Sequence, residues 1–402
     1  MKISTKARNA IFLGSLCSLS YFAVYIARNL LGAVTPKMTA DSFSLDYIGE
    51  LAAIYLLAYA CGQLINGSIG DFIKAKYMIS IGLLSAGVAS FIFVQIATLP
   101  WAAMVAYAWT GFSLSMIYGP MTKMVAESTD LIYATRCSLG YTFASFFGSP
   151  MAGLLATFLS WQATFNVSNA ALVFMAVICF VFFTLFEKKG IVKYGSPKKK
   201  GEKQARDYKG LFKRHIVKFA AIAMLTGIVR TSFVSFLSTY FCDYLRYSED
   251  KTASIFSITT FIISFTAFIA VFVYERLKKN IHLTTLLFFI LSAMFFTLSC
   301  FIYNPIANIA LIVVAIMASN AAATMVWSVY CPSMRDTGLV SGVTGFLDFL
   351  SYASAALASL LIPRLVTLIA WRNLIFVMAA LMVLGFAICL PYFIRKRKTA
   401  DA

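Results

Sequence analysis

Apolar segments of about 20 residues, the length that crosses a bilayer as a helix, recur along nearly the whole of this 402-residue chain. Lipid offers no water to satisfy backbone N–H and C=O groups, so a spanning segment must be a helix or part of a closed barrel. A barrel strand needs only about 9–11 residues of alternating character, and these runs are longer and continuously apolar. The pattern predicts an all-α membrane protein with twelve spans. Six lie in the first half, at 10–38, 46–70, 77–98, 101–126, 136–158 and 163–186. Six lie in the second, at 217–242, 252–274, 283–303, 307–330, 338–362 and 372–394. Composition agrees: 60% of residues are hydrophobic and 12% charged, against about half and a quarter in soluble domains.

The net charge of +18 would suit a nucleic-acid partner, but its distribution argues otherwise. Lys and Arg gather in the N-terminal tail (Lys2, Lys6, Arg8), in the turns 71–76 and 275–279, in the stretch 188–218 and in the tail 395–398. Alternate connections hold most of them, as the positive-inside rule requires, with both termini in the cytoplasm of a cell (inner) membrane. The N-terminal apolar run reaches about Val34 without a small-residue cleavage site, so it reads as the first span rather than a signal peptide. The eight cysteines are scattered, with no C-x-x-C pair, so neither a disulfide framework nor a metal site is expected. No P-loop, H-E-x-x-H, G-x-S-x-G or dinucleotide fingerprint occurs, so neither an enzyme nor an ATP-driven pump is expected, and no cofactor.

Three charges stand inside apolar runs: Arg28 in SYFAVYIARNLLGAV, Arg230 in AIAMLTGIVRTSFVSFL and Asp348 in SGVTGFLDFLSYASA. A charge at mid-helix costs about 2.5–3.5 kcal/mol on insertion scales and generally marks a watery path or a partner. Tyr21 and Tyr25 precede Arg28 by seven and three residues, which places all three on one helical face. A guanidinium presents a planar fork that bonds two oxygens of a phosphate or carboxylate at once. A structural arginine is the competing reading, and Asp348 could neutralise Arg230. Asp348 is also a candidate coupling residue, since buried carboxylates relay protons in transporters.

The halves echo each other. Arg28 corresponds to Arg230, GSIGDFIKAK after span two to VFVYERLKK after span eight, and Trp161-Gln162 to Trp371-Arg372. Parallel six-helix repeats belong to the major facilitator plan. The expected domains are an N-terminal bundle at 1–187, a basic linker at 188–216 and a C-terminal bundle at 217–402, together two pseudo-symmetric six-helix bundles.

YIARNLLGAVTP, GQLINGSIGD, GIVRTSFVSFLSTYF and GLVSGVTGFLDFL resemble the first, second, seventh and eleventh helices of the organophosphate:phosphate antiporters. That family comprises glycerol-3-phosphate and hexose-phosphate transporters and a sugar-phosphate sensor. The resemblance implies a major facilitator fold, one central site, and exchange of an organic phosphate for inorganic phosphate. It places phosphate-binding roles on Arg28 and Arg230, hydroxyl-bearing roles on Tyr21, Tyr25 and Tyr59, and a conformational latch in the turn containing Asp71. The chain departs at several positions: the family's lysines become Asn29 and Gln63, a histidine falls at Phe143, acids fall near Ser235 and Thr260, and a tyrosine falls at Phe349. The expectation is a monomeric secondary transporter of a small organic anion, an organophosphate or sugar phosphate, with Arg28 and Arg230 clamping the anion. A proton-coupled symporter or exporter using Asp348, and a non-transporting sensor, are the alternatives.

Overall fold

The computed structural model describes residues 4–69, 73–130, 133–134, 136–137, 140–141, 144, 147–194, 212, 214–331, 333–334 and 340–400. Helices account for its regular structure. They are α1 (Thr5–Ala40), α2 (Leu45–Ile69), α3 (Ala75–Gln95), α4 (Pro100–Ser128), α5 (Gly148–Phe158), α6 (Trp161–Lys188) and α7 (Ile216–Gly227). Then follow α8 (Leu237–Asp243), α9 (Glu249–Ser264), α10 (Thr266–Arg276), α11 (Ile281–Ser299), α12 (Pro305–Met325) and α13 (Val340–Ala400). Two π-helical segments continue α7 and α12, at Ile228–Phe233 and Val326–Tyr330. Among the described residues, nine segments are long and apolar enough to cross a membrane. One of them, Val343–Ile394, holds two predicted spans, because α13 breaks at Ala370 (φ 63°, ψ 162°). The chain is a multi-pass membrane protein.

The helix ends follow from their sequences. Ser4 Oγ accepts a hydrogen bond from the Ala7 N–H at the start of α1, and Ser160 Oγ does the same for Ala163 on α6. Asn280 Oδ1 accepts from His282 and Leu283, and Asn304 Oδ1 from Ile306 and Ala307. Such caps satisfy N–H groups that a first helical turn leaves without partners. Pro100 and Pro305 occupy first-turn positions, where the missing N–H costs nothing.

The chain divides into two compact units. Unit 1 comprises Met1–Glu202 with Ser248–Phe261, and unit 2 comprises Lys203–Tyr247 with Ile262–Ala402. In unit 1, α4 packs on α2 and α3, α3 on α6, and α1 on α5 and α6. The helices meet at small residues: a Cβ on Gly111 of α4 would collide with the Tyr55 carbonyl of α2. The first part of α9 belongs to this unit, a grouping that reading the chain by spans does not anticipate. Its cause is local: Ser257 Oγ donates to the Pro150 carbonyl at 2.6 Å, and the absent side chain of Gly153 admits the Ser257 backbone. At the rim, Lys37 pairs with Asp250 at 2.8 Å, and Glu187 receives both Lys74 (2.7 Å) and Lys76 (2.6 Å). The outward faces remain apolar, with Phe174, Val177, Phe180 and Val181 of α6 exposed, as a lipid-facing surface requires.

In unit 2, α11 packs on α12 and α13, α7 on α13, and α10 on α12. Tyr240 donates to Asn308 Oδ1 at 2.5 Å, while the Asn308 amide donates to the Ser299 and Ile302 carbonyls. Lys218 is buried, 1% exposed, with Nζ 2.7 Å from His282 Nδ1 and the Phe219 and Tyr392 rings at 5.1 and 5.2 Å. An ammonium only donates, so when Lys218 is charged His282 Nδ1 must be the acceptor. Replacing His282 by Ala strips a buried cation of this acceptor, which costs about 1–3 kcal/mol. His282→Gln keeps an acceptor oxygen and should lose less. Thermal unfolding of the detergent-solubilised protein should rank wild type above H282Q and H282Q above H282A.

Candidate functional site

Arg28 lies at the middle of α1, half-buried. One turn earlier on the same face, Tyr25 presents its ring 5.4 Å from the guanidinium carbon. From α2, Tyr59 presents its ring at 4.8 Å. Tyr21 extends the group, edge-on to Tyr25 at 4.9 Å and tilted against Tyr118 of α4 at 5.4 Å. Tyr141 meets both Tyr21 (6.0 Å) and Tyr118 (6.2 Å). Two phenol rings thus face the arginine, Tyr25 of α1 and Tyr59 of α2, while Tyr118 and Tyr141 join the group through Tyr21. Ring faces attract a cation by about 0.5–2 kcal/mol each, more strongly where water is excluded.

The close fit of α5 sets this geometry. Gly148 packs directly on the Tyr25 backbone, with no room for a Cβ. Asn29, where the resembling family has lysine, donates to the Tyr25 carbonyl at 2.7 Å and so belongs to its own helix. Gln63 is half-buried on α2, one turn beyond Tyr59.

Arg230 is in unit 2, within the first π segment. Its guanidinium carbon is 6.0 Å from the ring of Trp327, which belongs to the second π segment. A π turn adds a residue to a helical turn and occurs frequently at functional sites. The α7 side of this arrangement is pinned to α13. Gly227 packs against the Ser351 carbonyl, Ser354 Oγ donates to the Met224 carbonyl at 3.0 Å, and Ser232 Oγ donates to the Ala355 carbonyl. Asp348 lies on α13, half-buried, one turn before Ser351 and within electrostatic reach of Cys331 at the end of the second π segment. Ser235 Oγ donates to the Thr231 carbonyl at 2.7 Å and Thr260 Oγ1 to the Phe256 carbonyl at 2.7 Å, so both hydroxyls are used within their own helices. Phe349 is half-buried on α13. Asp71 and Phe143 lie outside the described residues.

The structure therefore brings Tyr25 and Tyr59 to Arg28, and Tyr21 to Tyr25. It adds three residues that sequence reading passed over, Tyr118, Tyr141 and Trp327. Each is an aromatic residue in an apolar run, and nothing in the run separates a ring that faces an arginine from one that faces lipid.

The architecture and the intramembrane charges define a class, the polytopic helical transporters. Residues 17–356 match the family model of the Major Facilitator Superfamily, and the chain belongs to that family. Among curated proteins it is similar to the membrane sensor protein UhpC of Escherichia coli (strain K12), 28% identical over 95 residues. That stretch is 23% of this chain and 21% of the sensor. It is also similar to the MFS-type efflux pump MFS1 of Arthroderma benhamiae (strain ATCC MYA-4681 / CBS 112371), 26% identical over 183 residues, 44% of this chain and 34% of the pump. The chain thus matches only a minor part of either relative's length. Among solved structures, a bacterial homolog of the human lysosomal transporter Spinster, inward-facing and unoccupied, superposes with a TM-score of 0.77 at 12% identity. This covers 95% of this chain and 96% of that one. The nucleoside transporter NupG, as its D323A mutant, superposes with a TM-score of 0.72 at 15% identity, covering 96% and 100%. At such identities the likeness shows the fold alone. The protein is a transporter-fold membrane protein, not an enzyme.

Gly148→Ala should force α5 away from Tyr25, an overpacking that costs about 1–3 kcal/mol. Gly119→Ala is the control, because nothing lies within 4 Å of a Cβ built there. Unfolding temperatures of the two purified variants should differ, with only G148A lowered.

Proposed function

We propose that this protein is a secondary active transporter that moves a small organic anion, an organophosphate or sugar phosphate, by alternating access. Arg28 and Arg230 clamp the anionic group. The observation that carries this reading is the setting of the two arginines. Each sits inside an apolar helical span of its own unit, and each has an aromatic ring within 6.0 Å of its guanidinium carbon. Retaining two such charges in a bilayer is costly, and the guanidinium fork suits a phosphate or carboxylate. The resemblance of four helices to organophosphate:phosphate antiporters supports the same substrate class. The proposal includes exchange for inorganic phosphate, a monomer in the cell (inner) membrane, and cytoplasmic termini as the basic connections require.

The curated sensor also favours a second reading, in which the protein binds its ligand and signals without transport. Counterflow of radiolabelled phosphate in proteoliposomes separates the two, since a sensor gives none. A third reading uses Asp348 for proton coupling. Asp348→Asn should then abolish acceleration by a pH gradient, and unchanged acceleration rejects that role.

The clamp has its own test. Lysine keeps the charge of arginine but not the two-pronged fork. Losing one charge-assisted bond of about 1.5–3 kcal/mol should weaken phosphate or organophosphate binding by roughly 10–100-fold. Arg28→Lys and Arg230→Lys should each show this drop while eluting as folded protein. Wild-type uptake by either variant would sink the clamp.

A further inference from the structure

We propose that Lys218 and His282, with His215 beside them, form a proton-binding site at one end of unit 2. The inference is independent of the anion reading of Arg28 and Arg230.

The chain has two histidines, and the fold brings both to one buried lysine. Lys218 is 1% exposed, and its Nζ lies 2.7 Å from His282 Nδ1. The His215 and His282 rings are 6.1 Å apart. Tyr392 of α13 joins the group, 4.7 Å from the His215 ring, 6.3 Å from the His282 ring and 5.2 Å from Lys218 Nζ. His215 caps the start of α7, and His282 is the second residue of α11. Both are half-buried, at the level where a spanning helix meets water. The topology proposed above turns this end to the cytoplasm.

A buried ammonium ordinarily has a carboxylate for a partner. Among the described residues, lysine–carboxylate pairs form at Lys6, Lys37, Lys74 and Lys76, and Lys218 is in none of them. It meets an imidazole and two aromatic rings instead. The difference matters for protons. An ammonium only donates, so its bond needs the Nδ1 lone pair. A carboxylate keeps its lone pairs down to about pH 4, whereas imidazole changes charge between about pH 5 and 8. A proton reaching His282 Nδ1 sets donor against donor and a second positive charge beside the first. The pair therefore holds one proton stably, and a second breaks the bond that ties α7 to α11.

The other titratable and charged groups come from each element packed there. Cys389 of α13 is within electrostatic reach of Lys218. Tyr330, on the π extension of α12, stacks on Phe219 at 3.7 Å. Arg214 donates to the Ser333 carbonyl at 2.7 Å. Glu275, Arg276, Lys278 and Lys279, ahead of α11, are exposed. Lys218 precedes Arg230 by twelve residues, about 18 Å along a helix. A proton bound here does not touch an anion held there.

Histidine titration of the full-length protein in detergent, labelled with 15N-histidine, tests the site. His215→Gln leaves His282 as the one imidazole signal, which at neutral pH should carry its proton on Nε2. Lys218→Met removes the ammonium and should raise the His282 midpoint by about one pH unit or more, since a neighbouring cation opposes protonation. The wild-type unfolding temperature should fall as pH drops below about 6.5, where the unfolded imidazole takes a proton that the native one resists. His282→Gln keeps an acceptor oxygen at every pH and should remove roughly half or more of that fall. A neutral His282 with its proton on Nδ1 overturns the pair. So does an unchanged midpoint in folded Lys218→Met, or an unfolding profile in His282→Gln that falls as steeply as wild type. If Lys218→Met does not fold, the tautomer and the His282→Gln profile decide.

Discussion

Everything in this protein follows from a solvent that cannot hydrogen-bond. In the hydrocarbon interior each backbone donor and acceptor must be satisfied within the chain, and the helix is the arrangement that does so locally. Hydroxyl side chains obey the same rule. Thr35 donates to the Leu31 carbonyl, Thr110 to Ala106, Thr226 to Ile222 and Thr285 to Ile281, each returning its proton to the preceding turn. Helices then associate through close approach, which is why Gly111, Gly148, Gly153 and Gly227 lie where a neighbour's backbone comes nearest.

Against that background the exceptions acquire meaning. Arg28 and Arg230 cannot return their protons to the helix as a threonine does, because the guanidinium extends too far and carries charge. The protein handles them with aromatic faces, Tyr25 and Tyr59 for one and Trp327 for the other. The two sites are not copies. One is a group of phenols on regular helices, and the other is an indole on paired π segments.

Much of this was legible in the chain. Long apolar spans, the basic connections and the presence of Arg28 and Arg230 within spans are properties of local sequence, because span length, charge bias and helical facing depend on neighbours within a few turns. Tyr21 and Tyr25 were legible as candidate neighbours of Arg28 for the same reason: heptad and one-turn spacings place them on its helical face. Tyr59 came through the resemblance to a family, not through spacing. The Major Facilitator assignment rests on the match across residues 17–356.

Tyr118, Tyr141 and Trp327 could not be read that way. Each approaches its arginine or tyrosine partner from a different helix, and which face of an apolar helix turns inward depends on the neighbours it packs against. The π segments are likewise tertiary, since α7 is held to α13 by Ser232, Ser354 and the bare Gly227 backbone. The grouping of Ser248–Phe261 with unit 1 depends on Gly153 and Pro150, about a hundred residues away in the chain. The sequence by itself determined a helical membrane protein, its spans and the two intramembrane cations, because solvent and charge act on each segment alone. Only the tertiary structure decided which rings surround those cations, because packing between helices distant in sequence selects the faces that meet.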